Sequence, residues 1–133
     1  MTTLRHYIRR SQAAALRAGL KGEEGDFFRE KIAELEARIQ AMPITYQTDR
    51  QDDQAIAYLH YFSAGANWYI SELDSDPDGA GQVQAFGLAD LYGDGGDWGY
   101  ISIAELVENG VELDLHWKPK PLADIGKKKK VRR

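Results

Sequence analysis

Residues 56–73 read Ile-Ala-Tyr-Leu-His-Tyr-Phe-Ser-Ala-Gly-Ala-Asn-Trp-Tyr-Ile-Ser-Glu-Leu. Aromatic and β-branched residues dominate, and such side chains suit a pleated, half-buried surface. Two strands are predicted, over 56–62 and 67–73, with Ser63-Ala64-Gly65-Ala66 as the turn between them. The pattern continues downstream. A turn region covers 74–81, a third strand 82–92 and a fourth 98–102. Ser102 is a helix N-cap with Glu105 three residues on as its capping-box partner, which predicts a short helix over 103–109. Gly110 ends it, and 111–117 reads as a last strand. Strands joined by short turns imply antiparallel pairing, because parallel neighbours need long crossovers.

Upstream of Pro43 the apolar period changes from near 2 to near 3.6. A first helix is predicted over 3–20, with Leu4, Ile8, Ala15 and Gly19 on one face and Leu16 and Leu20 beside it. Lys21-Gly22 supplies its stop. A second helix opens at Asp26, a good N-cap residue, and runs to Met42, with Phe28, Ile32, Leu35, Ile39 and Met42 in a single stripe. The polar segment 43–54 reads as a linker. The expected fold is therefore α+β: a helical hairpin (3–42) packed on an antiparallel sheet of four to five strands (55–122), with one short helix before the last strand. Residues 1–126 form one domain and 127–133 a disordered basic tail.

Composition agrees with one domain. The chain has 133 residues, 43% of them apolar, and four Phe, seven Tyr and three Trp supply bulk for a single core. Cysteine is absent, which excludes disulfides, thiolate metal sites and cysteine nucleophiles. The start, Met-Thr-Thr-Leu-Arg-His, lacks the apolar run of a signal peptide, and no stretch approaches membrane-spanning length. A cytoplasmic location is expected, and oligomeric state is left open.

Charge is segregated along the chain. Between Arg50 and Lys118 there is no lysine or arginine but there are thirteen acids, against a net charge of −4 for the whole chain. All 17 basic residues lie in the two flanks. If folding gathers the central carboxylates, the surface they form is steered toward basic, nucleic-acid-handling proteins. The plainer alternative is that the acids solvate loops and one sheet face.

Four stretches carry a family resemblance: Trp68-Tyr69-Ile70-Ser71-Glu72-Leu73-Asp74, Ala85-Phe86-Gly87-Leu88-Ala89-Asp90-Leu91, residues 98–106 (Trp-Gly-Tyr-Ile-Ser-Ile-Ala-Glu-Leu) and residues 114–122 (Asp-Leu-His-Trp-Lys-Pro-Lys-Pro-Leu). In order and spacing, 58–125 resembles the bacterial family called domain of unknown function 2958. The hairpin before Pro43 does not look like that family's usual start and reads as an addition. The resemblance carries over no catalytic residue. It implies a setting on plasmids and phages, which favours anti-restriction, anti-CRISPR and conjugation accessory roles.

Individual constellations point weakly to chemistry. Asp74-Ser75-Asp76-Pro77-Asp78-Gly79 opens like a calcium loop, but its twelfth position is Ala85 where a bidentate glutamate is needed, so turn chemistry is the better account. Gly93-Asp94-Gly95-Gly96-Asp97 has no lysine, and its aspartates would repel a phosphate. His60 and His116 could meet across the sheet with Glu72 or Asp114, but strand histidines packed among aromatics are the better account. Trp68, Tyr69, Trp98, Tyr100 and Trp117 divide between core and surface in a way the sequence does not sort. No catalytic residue, metal or cofactor is expected.

The leading expectation is an interaction protein, an anti-defence inhibitor for example, binding a basic protein surface through Asp74, Asp76, Asp78, Asp90, Asp94 and Asp97. The alternative is nucleic-acid binding through Arg5, Arg9, Arg10 and Arg17 with the tail residues Lys127, Lys128, Lys129, Lys130, Arg132 and Arg133.

Overall fold

The computed structural model describes residues 3–74 and 82–125. A 3-10 turn over Leu4–His6 precedes α1 (Arg10–Leu20) and α2 (Gly25–Ala41). Then come β1 (Ile56–Ala57), β2 (Leu59–Ser63), β3 (Ala66–Glu72), β4 (Ala85–Asp90) and β5 (Asp97–Ile101). The chain continues through α3 (Ile103–Glu108), β6 (Glu112–Leu113), β7 (Lys120–Pro121) and α4 (Leu122–Ile125). Five strands form one antiparallel sheet in the order β5-β4-β3-β2-β6, and β1 pairs with β7 in a separate ribbon. The expected α+β architecture is present, with the short helix in its expected place.

Strand alternation gives the sheet two different faces. Leu59, Tyr61, Ile70, Ala85, Ile101 and Leu113 form one cluster with Leu16, Ile32, Leu35 and Ile39 of the hairpin. This is the main core. The pairs Phe86↔Tyr100 and Leu88↔Trp98 alternate with the core-facing pair Ala85↔Ile101, so these four residues lie on the opposite face. There a smaller cluster of Ala55, Ala57, Leu88 and Leu122, flanked by Tyr69 and Trp117, covers part of the sheet. Gly87 lies in β4 where β3 approaches most closely, and a methyl group added there would collide with the Tyr69 carbonyl oxygen.

Several expected elements differ from the observed ones: β4 is shorter than the expected 82–92, and α2 starts at Gly25 with Glu24, not Asp26, at its N-cap. The first helix does not run unbroken over 3–20. Arg9 adopts an extended conformation (φ −72°, ψ 161°) and divides the 3-10 turn from α1. The break lets Leu4, Tyr7 and Ile8 all enter the core, and α1 then buries Ala13 and Leu16 while the expected Ala15 is exposed. Residues 56–62 are not one strand, because the chain passes from the small ribbon to the main sheet at Tyr58, whose N–H donates to the Ile70 carbonyl. The last main-sheet strand is short. After Leu113 the chain turns over Asp114–Trp117, and the Trp117 indole N–H crosses to the Ala57 carbonyl at 2.9 Å.

The hairpin and sheet are tied by polar contacts as well as by packing. Buried Tyr61 donates its hydroxyl to the Tyr7 carbonyl at 2.6 Å. Arg38 of α2 donates to the Trp117 carbonyl at 3.0 Å, holding the chain after β6. Gln12 of α1 accepts from the Leu113 N–H at 3.1 Å and donates to its carbonyl at 2.7 Å, so a side-chain amide pairs with β6 where a further strand would. Arg9 adds contacts to the Gly110 carbonyl and the Glu112 carboxylate. One sheet edge is thereby closed. Among the described residues β5, at the other edge, pairs with β4 alone.

Candidate functional site

The segment between Pro43 and Gln54 is packed against the end of β3. Leu73 donates to the Pro43 carbonyl, and Ile44 bridges Leu73 in parallel. The anchor is Glu72, only 4% exposed. Its Oε1 accepts from the Tyr46 N–H at 2.8 Å, and its Oε2 accepts from the Thr48 N–H at 2.8 Å and from the Thr48 hydroxyl. A buried carboxylate is tolerated only with such donors, and here they come from one loop. The loop bends sharply around it. Tyr46 (φ 70°), Arg50 (φ 71°) and Asp52 (φ 50°) all take left-handed backbone conformations that disfavour side chains of their size.

This loop and the outer face of β4–β5 enclose a cleft of about 260 Å³. Tyr46, Phe86, Trp98 and Tyr100 form its aromatic walls, and Asp49, Asp52 and Glu72 supply three carboxylates against the single cation of Arg50. Phe86 stacks on Trp98 with ring centroids 6.2 Å apart and meets Tyr100 edge-on at 5.7 Å. The walls are open to solvent, with Trp98 43% and Tyr100 57% exposed. The Tyr100 hydroxyl donates to that of Tyr46 at 3.3 Å. That bond first, then the electrostatic influence of the Tyr46 side chain, desolvation and, last, Glu72 raise the Tyr100 phenol above its ordinary pKa.

A second hollow of about 280 Å³ follows the open edge of β5 and shares Trp98 and Tyr100 with the cleft. Asp94, Asp97, Leu91 and Tyr92 line it, Tyr92 being 85% exposed. Asp94 and Asp97 line the hollow, whereas Asp90, at the end of β4, follows Ala89, the partner of Asp97, and so takes the opposite face. Asp90 and Asp94 also brace the turn, accepting from the N–H groups of Gly93 and Gly96.

Asp74 lies elsewhere. It follows the far end of β3, whose start pairs with Asp90, so the length of the strand separates it from the other three. Its Oδ2 accepts from the Gln84 N–H at 3.2 Å. Asp76 and Asp78 lie outside the described residues. The described acids of the expected surface therefore divide between two ends of the sheet, because its strands carry chain neighbours apart. The position equivalent to a calcium loop's final ligand, Ala85, is buried in the core.

The basic candidates are also divided. Arg5, Arg10 and Arg17 line one open groove with His6, whereas Arg9 is turned to Glu112. Lys127, Lys128, Lys129, Lys130, Arg132 and Arg133 lie outside the described residues. His60 is packed among aromatics. Its ring stacks on Tyr69 at 4.9 Å, with Nδ1 3.0 Å from Asp114 Oδ2 and Nε2 2.7 Å from Asn67 Oδ1. His116 is exposed on the turn that follows. Among the described residues no three His, Asp or Glu side chains are grouped to hold a metal ion, and no helix is long and apolar enough to cross a membrane.

The cleft is hidden in the sequence because 43–54 reads as a polar linker. Two signals were available: Tyr46 is a lone large aromatic in a polar run, and Glu72 interrupts the apolar alternation of β3 just before Leu73.

No curated protein and no solved structure matches the chain. A family model described as "Protein of unknown function (DUF2958)" matches residues 27–121. The match runs from the first turn of α2 to the end of β7, so α2 is part of the family's span, contrary to the expectation that the whole hairpin is an addition. Matched over more than half of its length, the chain belongs to the DUF2958 family.

Proposed function

We propose that the protein acts by contact, laying the open edge of β5 against a basic segment of a partner protein. The carrying observation is the contrast between its two sheet edges. Gln12 and Arg9 cover β6, while β5 presents Asp94, Asp97, Tyr92, Trp98 and Tyr100 beside a hollow lined by no lysine or arginine among the described residues. An uncovered edge offers backbone hydrogen bonds to an incoming strand. Acids steer a cationic partner, and exposed aromatics suit the centre of an interface. Nucleic-acid-handling proteins carry such cationic surfaces, so anti-restriction or anti-CRISPR inhibition fits this chemistry.

The test is inhibition of a restriction nuclease or CRISPR effector across a salt series. Inhibition that weakens with salt, and falls about tenfold at low ionic strength in the double variant Asp94→Asn, Asp97→Asn, supports the reading. Absence of inhibition, or indifference to salt, contradicts it.

A second reading has its own observation. Arg5, Arg10 and Arg17 share a groove of about 540 Å³ with His6, Ile8 and Ala13, and three guanidinium groups on one surface can neutralise phosphates. Under this reading the chain retards DNA or RNA in a low-salt gel, and replacing the three arginines by alanine abolishes the shift. No retardation at low salt removes it.

A further inference from the structure

We infer that the cleft between the 46–52 loop and β5 is a receptor for a single guanidinium side chain, an arginine of the basic partner. This rests on the proposed contact at the β5 edge and specifies what the neighbouring cleft recognises there.

Four features converge. The volume, about 260 Å³, lies below the roughly 300–1,000 Å³ typical of drug-sized ligands and suits one side chain. Its walls are the rings of Tyr46, Phe86, Trp98 and Tyr100, and a cation over such ring faces is held by their quadrupoles. The molecule already makes one contact of this kind, with Lys120 Nζ 4.6 Å from the Trp117 ring centroid. The cleft carries three carboxylates, those of Asp49, Asp52 and buried Glu72, against one guanidinium. An anionic ligand would meet net repulsion.

Arginine is favoured over lysine by shape. A planar guanidinium can stack on Trp98 while directing its N–H fork toward Asp49 and Asp52, whereas an ammonium is a compact, strongly hydrated point charge. The position also fits a strand on β5, because Trp98 and Tyr100 line both hollows, so alternate side chains of that strand would project over the cleft.

The probes are Nα-acetyl-arginine methylamide and its citrulline counterpart, which keeps the shape and loses the charge. Each is titrated into the full chain labelled with nitrogen-15, and the Trp98 indole resonance is followed. The inference predicts saturable shifts of the Trp98 indole and of the 46–52 amides with the arginine probe, at least tenfold weaker binding of citrulline, and loss of binding in Trp98→Ala. Asp49→Asn with Asp52→Asn should weaken binding about tenfold while leaving the rest of the spectrum unchanged, which guards against a variant that merely unfolds. Equal binding of the two probes, or no shift at Trp98, overturns the inference. If partner inhibition then persists and still depends on Asp94 and Asp97, the edge reading survives without the cleft. If arginine binds the cleft and no basic partner is inhibited, the receptor stands and the edge reading falls.

Discussion

At the scale of single residues, Glu72 carries the most structure. Two backbone N–H groups and one hydroxyl, all from the loop that forms one wall of the cleft, converge on its carboxylate. Glu72→Gln replaces an accepting oxygen with a donor facing other donors. A loss of about 1–3 kcal/mol is expected, read as a lower urea midpoint at unchanged slope; an unchanged midpoint would contradict the role assigned to it. Tyr61 makes the second residue-scale prediction. Burial raises its phenol well above the ordinary value. The neutral form is thus favoured in the folded state. That contribution is complete below the unfolded value of about 10 and is lost as pH rises toward the folded one. The tyrosinate absorbance of Tyr61 should therefore appear together with alkaline unfolding, and Tyr61→Phe should make the alkaline loss shallower while costing about 1 kcal/mol near neutral pH through the lost bond to the Tyr7 carbonyl.

At the scale of elements, the N-terminal turn is held by a carboxylate from another helix. Glu36 Oε2 accepts from the N–H groups of Thr3 and Leu4 at 2.9 and 3.0 Å, and the Leu4 bond above all holds its carboxyl below the ordinary value. A depressed folded value means the stabilisation is present above the unfolded value of about 4.3 and disappears as pH falls through the folded one. Urea midpoints taken from neutral to acid pH should show this loss in the native chain and a flatter acid limb in Glu36→Gln. Gly87→Ala tests the β3–β4 seam, since its methyl would displace the Tyr69 carbonyl; a cost above about 2 kcal/mol is expected in the same assay. Regular elements were legible where one physical signal dominated. The α2 stripe, the Ala64-Gly65 turn with both φ values positive, and the Ser102 cap accepting from the Glu105 N–H all follow local rules. Long-range contacts overrode those rules elsewhere. The break at Arg9 comes from burying Leu4, Tyr7 and Ile8 under the Glu36 cap, and the early end of β6 from the demands of His60 and Ala57 on Asp114 and Trp117. The cleft was illegible for the same reason, because its walls come from a loop, β4 and β5, which only the fold brings together.

At the scale of the whole molecule, charge segregated in sequence is redistributed by the sheet. Arg9 reaches Glu112 across the closed edge, Asp74 leaves the group, and Asp94 and Asp97 lie beside the aromatic residues of the open edge. The result is two sites of opposite sign, an acidic-aromatic edge with its cleft and an arginine-lined groove on the N-terminal segment. Which of them meets a partner is the central question, and a backbone amide map answers it most directly. Nitrogen-15-labelled protein is titrated with a short peptide in which arginine alternates with β-branched residues. Shifts confined to β5, the 91–96 turn and the 46–52 loop, fading as salt is raised, are expected. No shifts there, or shifts centred on residues 5–17 instead, would contradict contact at the open edge.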